Sequence, residues 1–181
     1  MLAEAIRSLY GHNRWAMEQI LVAAEGLTSE QWLAAGTAGH GSIRDTVVHA
    51  IGTQRGWCSW WDGSLPPMEA YNLTCNPNDY PDVAAVRALW KTVADTSQTF
   101  FAGLTDADVE RIYSFPMANG MLFRLELWQM MLHVSNHGTQ HRSEVAAMLT
   151  AAGHSPGQLD LLGYFQPVRP DPESGSGPEP T

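Results

Sequence analysis

Four stretches of this chain repeat their apolar residues at spacings of three and four, so the fold has to bury four helical faces against one another. Strands cannot satisfy such a repeat, because their side chains alternate with a period of two. Leu2, Ile6, Leu9, Ala16, Ile20 and Ala24 mark a first helix over residues 2–25. Ser42, at capping-box spacing from Asp45, opens a second helix, which continues through Ile43, Val47, Ile51, Gln54, Trp57 and Trp61 and ends near Asp62 and Gly63. Pro81 suits the first turn of a third, carried by Val83, Val86, Trp90, Val93, Ser97, Phe100 and Leu104. The last runs from about Leu125 to Ala152 and stops at Gly153, before Pro156.

The segments between these helices predict how they connect. Thr28 and Gln31 have the spacing of a capping box for a short turn after the first helix. The 17 residues from Gly63 to Asp79 contain Pro66, Pro67 and Pro77 and show no helical period. Extended, they would reach roughly 50 Å, more than the ~30 Å length of a 20-residue helix, so helices two and three can run parallel through a long crossover. Between Arg111 and Phe123 short segments surround Asn119-Gly120, a dipeptide suited to a tight hairpin turn, which predicts a hairpin-like insertion before the last helix. The fold class expected is all-α, a four-helix bundle over residues 1–166. Residues 167–181, rich in Pro, Gly, Ser and Glu, have little to bury and are expected to be a disordered tail.

Composition excludes several classes of partner. With a net charge of −9, one lysine (Lys91) and nine scattered arginines, the chain has no basic stripe for a phosphate backbone, and nucleic-acid binding is not expected. No apolar run of about 18 residues could span a bilayer, and no signal peptide opens the chain, so the expected location is the cytoplasm without membrane attachment. Cys58 and Cys75 are the only cysteines and lack the spacing of a metal or redox motif.

The histidines carry the chemistry. Three of the seven fall in HVSNHGTQH, where His133, His137 and His141 recur every four residues on one helical face. Two imidazoles one turn apart can reach a single ion, whereas a third on the same straight helix diverges from them. Another helix must therefore supply the third ligand. His49 leads and His12 competes, although His49 lies beside the apolar stripe of its helix rather than within it. Seven tryptophans are many for this length, and their helical spacing assigns most of them to the core.

Three segments resemble the DinB-like (DinB/YfiT) family over essentially all of residues 1–166: YGHNRWAMEQILVAAEGLTSEQW, GSIRDTVVHAIGTQRGW and LWQMMLHVSNHGTQHRSEV. The family has one histidine in its second helix and an HxxxH-Arg sequence in its last, so the resemblance implies His49, His137 and His141 as ligands of one divalent metal ion. Zinc is the first expectation, with nickel, iron and copper also suited to imidazole and manganese a further alternative. Ser143 stands where many members carry glycine after the His-Arg pair. Arg142 there could anchor an anionic substrate or pair with a carboxylate such as Glu144 or Glu126.

The resemblance further implies homodimers and a small-molecule site between the helices. Related members include thiol S-transferases that use bacillithiol or mycothiol, and thiol-dependent isomerases of maleylpyruvate type. The leading expectation is therefore metal-dependent transfer of a low-molecular-weight thiol to a small electrophile held by Trp57, Trp61 and Trp128. The alternatives are a non-catalytic metal-binding stress-response protein and a metal-dependent isomerase or hydrolase, the latter with Glu144 or Glu126 as base.

Overall fold

In the computed structural model, which describes residues 1–36, 38–116 and 121–166, four long helices dominate: α1 (Leu2–Ala24), α3 (Ile43–Trp61), α5 (Val83–Ala102) and α7 (Leu127–Ala151). Short helices α2 (Ser29–Leu33), α4 (Pro67–Tyr71), α6 (Asp106–Val109) and α8 (Leu161–Phe165) lie between or after them. Strands β1 (Ile112–Pro116) and β2 (Leu122–Glu126) pair antiparallel, Ile112 opposite Glu126 and Pro116 opposite Leu122. These strands form the insertion expected before the last helix. The Asn119-Gly120 turn and the tail at 167–181 lie outside the described residues.

Local chemistry sets the boundaries. Thr28 and Gln31 form the reciprocal capping box at the start of α2. Ser42 caps α3 through Asp45 N, but the Asp45 carboxylate turns to Arg44 at 2.8 Å instead of closing a box. The third long helix begins later than Pro81 suggests, because Asp82 is its N-cap and accepts from Ala85 N at 2.8 Å. The last begins at Leu127 rather than Leu125, because Leu125 and Glu126 are the final residues of β2.

α1 and α3 each pack against both α5 and α7, so the four close into a ring. One apolar cluster joins Met17–Ala24 of α1 to Ile43–Ile51 of α3, Val86–Ala94 of α5 and Val145 and Leu149 of α7. A second joins Ala3, Ile6 and Tyr10 to Cys58–Trp61, Phe101 and Leu127–Val134. The starts of α3 and α5 therefore share one end of the bundle, and the starts of α1 and α7 share the other. α3 and α5 are parallel, as a long crossover allows. Between the two clusters the buried residues turn polar: Asn13 on α1 and Ser135, His141 and Arg142 on α7.

The crossover is not featureless. It contains α4 and a 3-10 turn at Pro77–Asp79, and it presses onto α3 where that helix has no side chains. A Cβ on Gly56 would stand 2.5 Å from the carbonyl oxygen of Ala70, and one on Gly52 would stand 3.3 Å from Cys75. This close approach leaves a cavity of about 440 Å³ beside the middle of α3. Among the described residues no helix is long and apolar enough to cross a membrane.

Candidate metal centre

His137 and His141 sit one turn apart on α7, the helix that packs most closely on α3, and that packing brings His49 against His137. His137 Nε2 lies 3.3 Å from His49 Nε2 and 3.1 Å from His141 Nε2. His141 is buried, the other two are half-buried, and the His141 Nδ1 donates to Glu144 Oε2 at 2.7 Å.

Protons alone satisfy this triad poorly. His141 uses its proton on Glu144, which leaves its Nε2 as a bare lone pair. A proton on His137 Nε2 would then serve the lone pairs of His49 and His141 at once. With no proton there, the lone pairs of His137 and His141 face each other. A cation satisfies all three. Nitrogens bound at 2.0–2.1 Å to a tetrahedral ion stand about 3.3 Å apart, close to the spacing of the His137–His49 and His137–His141 pairs. The Glu144 contact has the form of the outer carboxylate that fixes a ligating histidine's tautomer. The residues thus fit a divalent ion held by nitrogen.

Electrostatics favour neutral imidazoles. Burial, with the nearby His40, His141 and His137, pushes His49 down to about 4. Burial, with His141, His133 and His40, does the same to His137. Partial burial opposes ionisation of Glu144, but hydrogen bonds from His141 and Gln140 outweigh it and hold the carboxyl below its usual range. In an unfolded chain His49 and His137 protonate near 6.5. Between pH 6.5 and 4 the unfolded state therefore binds more protons, and stability falls as pH falls. Metal-free protein should lose about 1–3 kcal/mol between pH 7 and 4, after allowance for the residual solvent around both rings. Urea unfolding across this range measures the loss. A profile as steep in the His49→Gln/His137→Gln double variant would show that other groups cause it.

A fourth imidazole, not foreseen from the sequence, joins the cluster. His40 lies in the turn before α3 and stacks on His49, with ring centroids 3.6 Å apart and planes at 25°. Ligand atoms of His40, His49 and His141 all lie within 4.8 Å of one another, so these three could hold an ion together. The His137 Nε2 contacts to His49 and His141 are shorter, at 3.3 and 3.1 Å, and His40 joins this cluster through its stack on His49. No periodicity flags a loop histidine. Only the flanking Gly39 and Gly41, both at positive φ, hinted at a constrained turn.

The remaining candidates lie elsewhere. His12 is buried behind α1, where its Nε2 donates to the Leu159 carbonyl at 2.8 Å. His133 is exposed, its ring centroid 6.4 Å from that of His137. Arg142 pairs with neither carboxylate proposed for it. Glu144 is taken by His141 and Gln140, and Glu126 accepts from Trp128 Nε1. Arg142 instead donates to Asn13 Oδ1 at 2.8 Å and Thr139 Oγ1 at 3.0 Å.

The cavity beside α3 opens onto His40 and His49, with Trp57, Tyr71 and Leu73 as apolar walls and Thr53, Thr74 and Cys75 as polar ones. Of the three tryptophans expected at a substrate, only Trp57 lines this cavity. Trp61 is buried in the second core cluster, and Trp128 is held at the start of α7 by Glu126. Burial pushes the Cys58 thiol up to about 12, which keeps it protonated.

These features define an all-helical bundle protein with a histidine cluster between two of its helices. Comparison with known sequences gives the family: the DinB family matches residues 1–173, and the chain belongs to it. Among its relatives is Protein DinB of Bacillus subtilis (strain 168), 22% identical over 158 residues that cover 87% of this chain and 91% of that protein.

Proposed function

We propose that this protein holds one divalent ion through His49, His137 and His141 and uses it to transfer a low-molecular-weight thiol to a small electrophile. The observation that carries the reading is the adjacency of the nitrogen triad to a cavity of about 440 Å³ with mixed apolar and polar walls. When bound, such an ion lowers the pKa of a thiol and makes it nucleophilic at neutral pH.

The chain's own residues supply the rest. Glu144 fixes the tautomer of His141 so that its Nε2 lone pair faces the cluster. Trp57 and Tyr71 offer flat apolar faces to the electrophile, and the crossover on α3 limits access of bulk water. Neither cysteine of the chain is required. Cys58 is buried and protonated, and the cavity, which Cys75 lines, has room for a thiol cosubstrate as the nucleophile. Hydrolysis is less well supported, because the carboxylate nearest the triad, Glu144, is already committed to His141.

The test is a panel of small thiols with 1-chloro-2,4-dinitrobenzene as electrophile and protein loaded with zinc or nickel. Conjugation should exceed the buffer rate at least tenfold with one thiol or more, and Trp57→Ala should raise KM for the electrophile. Loaded protein no faster than buffer with every thiol would reject the transferase reading.

A further inference from the structure

The turn before α3 is built to hold one imidazole over the histidine cluster. Gly39 has φ +67° and Gly41 φ +109°, left-handed values that glycine adopts without strain. Gly39 lies so close to α3 that a Cβ there would stand 2.4 Å from Thr46 Oγ1. Thr46, fully buried, donates to the Ser42 carbonyl at 2.8 Å and accepts from His40 N at 3.0 Å. The backbone of His40 is thus tied to the first turns of α3, while its side chain remains exposed and stacks on His49. Exposed loop residues seldom have a backbone fixed this firmly. The fixed point lies beside His49 at the cavity, which the two residues line together.

We propose that His40 is a fourth, exchangeable protein ligand, which occupies the position left open by His49, His137 and His141 at rest and gives it up to a ligand entering from the cavity. The inference rests on the metal reading above and adds to it a closed resting state. Ligand atoms of His40, His49 and His141 already lie within 4.8 Å, and a side-chain rotation on an exposed loop covers the difference to the ~3.3 Å of a shared ion. No backbone hydrogen bond has to break. Because only the side chain moves, His40 can leave without disturbing the three ligands that α3 and α7 hold.

Wild-type protein and His40→Ala are loaded with Co(II), and their visible ligand-field spectra, Co(II) affinities by chelator competition and affinities for added free imidazole are compared. The wild type should show the spectrum of a four-nitrogen site and take up added imidazole only at about tenfold or higher concentration than His40→Ala does, because His40 must first be displaced. His40→Ala should shift that spectrum, bind the metal about tenfold or more weaker, and take up free imidazole with recovery of the wild-type spectrum. Identical spectra, metal affinities and imidazole responses in the two proteins would overturn the role of His40 and leave the three-ligand reading intact. Wild-type protein that takes up no Co(II) would overturn both. Matching circular dichroism of the two chains establishes that the exposed substitution leaves the fold unchanged.

Discussion

His137→Ala should weaken divalent-ion binding by on the order of a thousandfold, the largest loss from any single ligand. Structural zinc sites are worth roughly 10–16 kcal/mol over four ligands, so one imidazole accounts for about 2.5–4 kcal/mol, and the thousandfold loss is the upper end of that range. His137 stands above its partners because its Nε2 is within 3.3 Å of both the others, and without it His49 and His141 lose their common neighbour. The fold should not suffer. His137 is half-buried, and its depressed pKa means that the metal-free fold gains nothing from its protonation. His133→Ala is the control, since that ring is exposed and its centroid lies 6.4 Å from His137. Calorimetric titration with Zn(II) reads both variants. Equal affinities in wild type and His137→Ala, or equal losses in the two variants, would remove His137 from the ligand set.

The contrast between these two histidines shows what sequence spacing can resolve. His133, His137 and His141 recur on one face, yet only the pair that meets α3 takes part in the Nε2 triad, because three side chains spread over two turns cannot all reach one point. His49 lies off the apolar stripe of its own helix, which counts against it while α3 is read alone. The offset is intelligible once α7 is beside it, since the position turns toward a polar layer rather than toward the core. Helix periods were legible because the core rewards them along each whole helix. The parallel run of α3 and α5 followed from chain reach. Leu125 and Glu126 were illegible as strand because their side chains also fit the first turn of the amphipathic α7, and pairing with Tyr113 and Ile112 decides the matter. His40 could not be found at all, because nothing in local sequence reports that a glycine-flanked turn folds back onto Thr46.

Arg142 is the other residue whose surroundings the sequence misdirects, and its burial leads to a second large effect. The residue is 5% exposed, and among the described residues no carboxylate pairs with its guanidinium. Burial lowers its pKa to about 10, which still leaves it charged at neutral pH. Asn13 Oδ1 and Thr139 Oγ1 accept from it, and Gly138 makes room for it, since a Cβ there would stand 2.9 Å from its Nη1. A buried charge held by neutral acceptors is tolerable only while they remain. Asn13→Leu, which keeps approximate volume but removes the better acceptor, should therefore cost about 2–4 kcal/mol. Adding Arg142→Met removes the stranded charge and should return more than half of that loss, because apolar replacement of a whole buried polar pair is often close to neutral. Urea unfolding of both single variants and the double variant closes the cycle. Double-variant stability at the sum of the two single losses would mean no coupling, and Arg142 would then be held by packing. Strong coupling would mean that the two groups act as one buried unit. The same contact ties α1 to α7, the helix that carries His137 and His141, so Asn13→Leu should also reduce divalent-ion affinity while leaving His49, His137 and His141 unchanged in sequence.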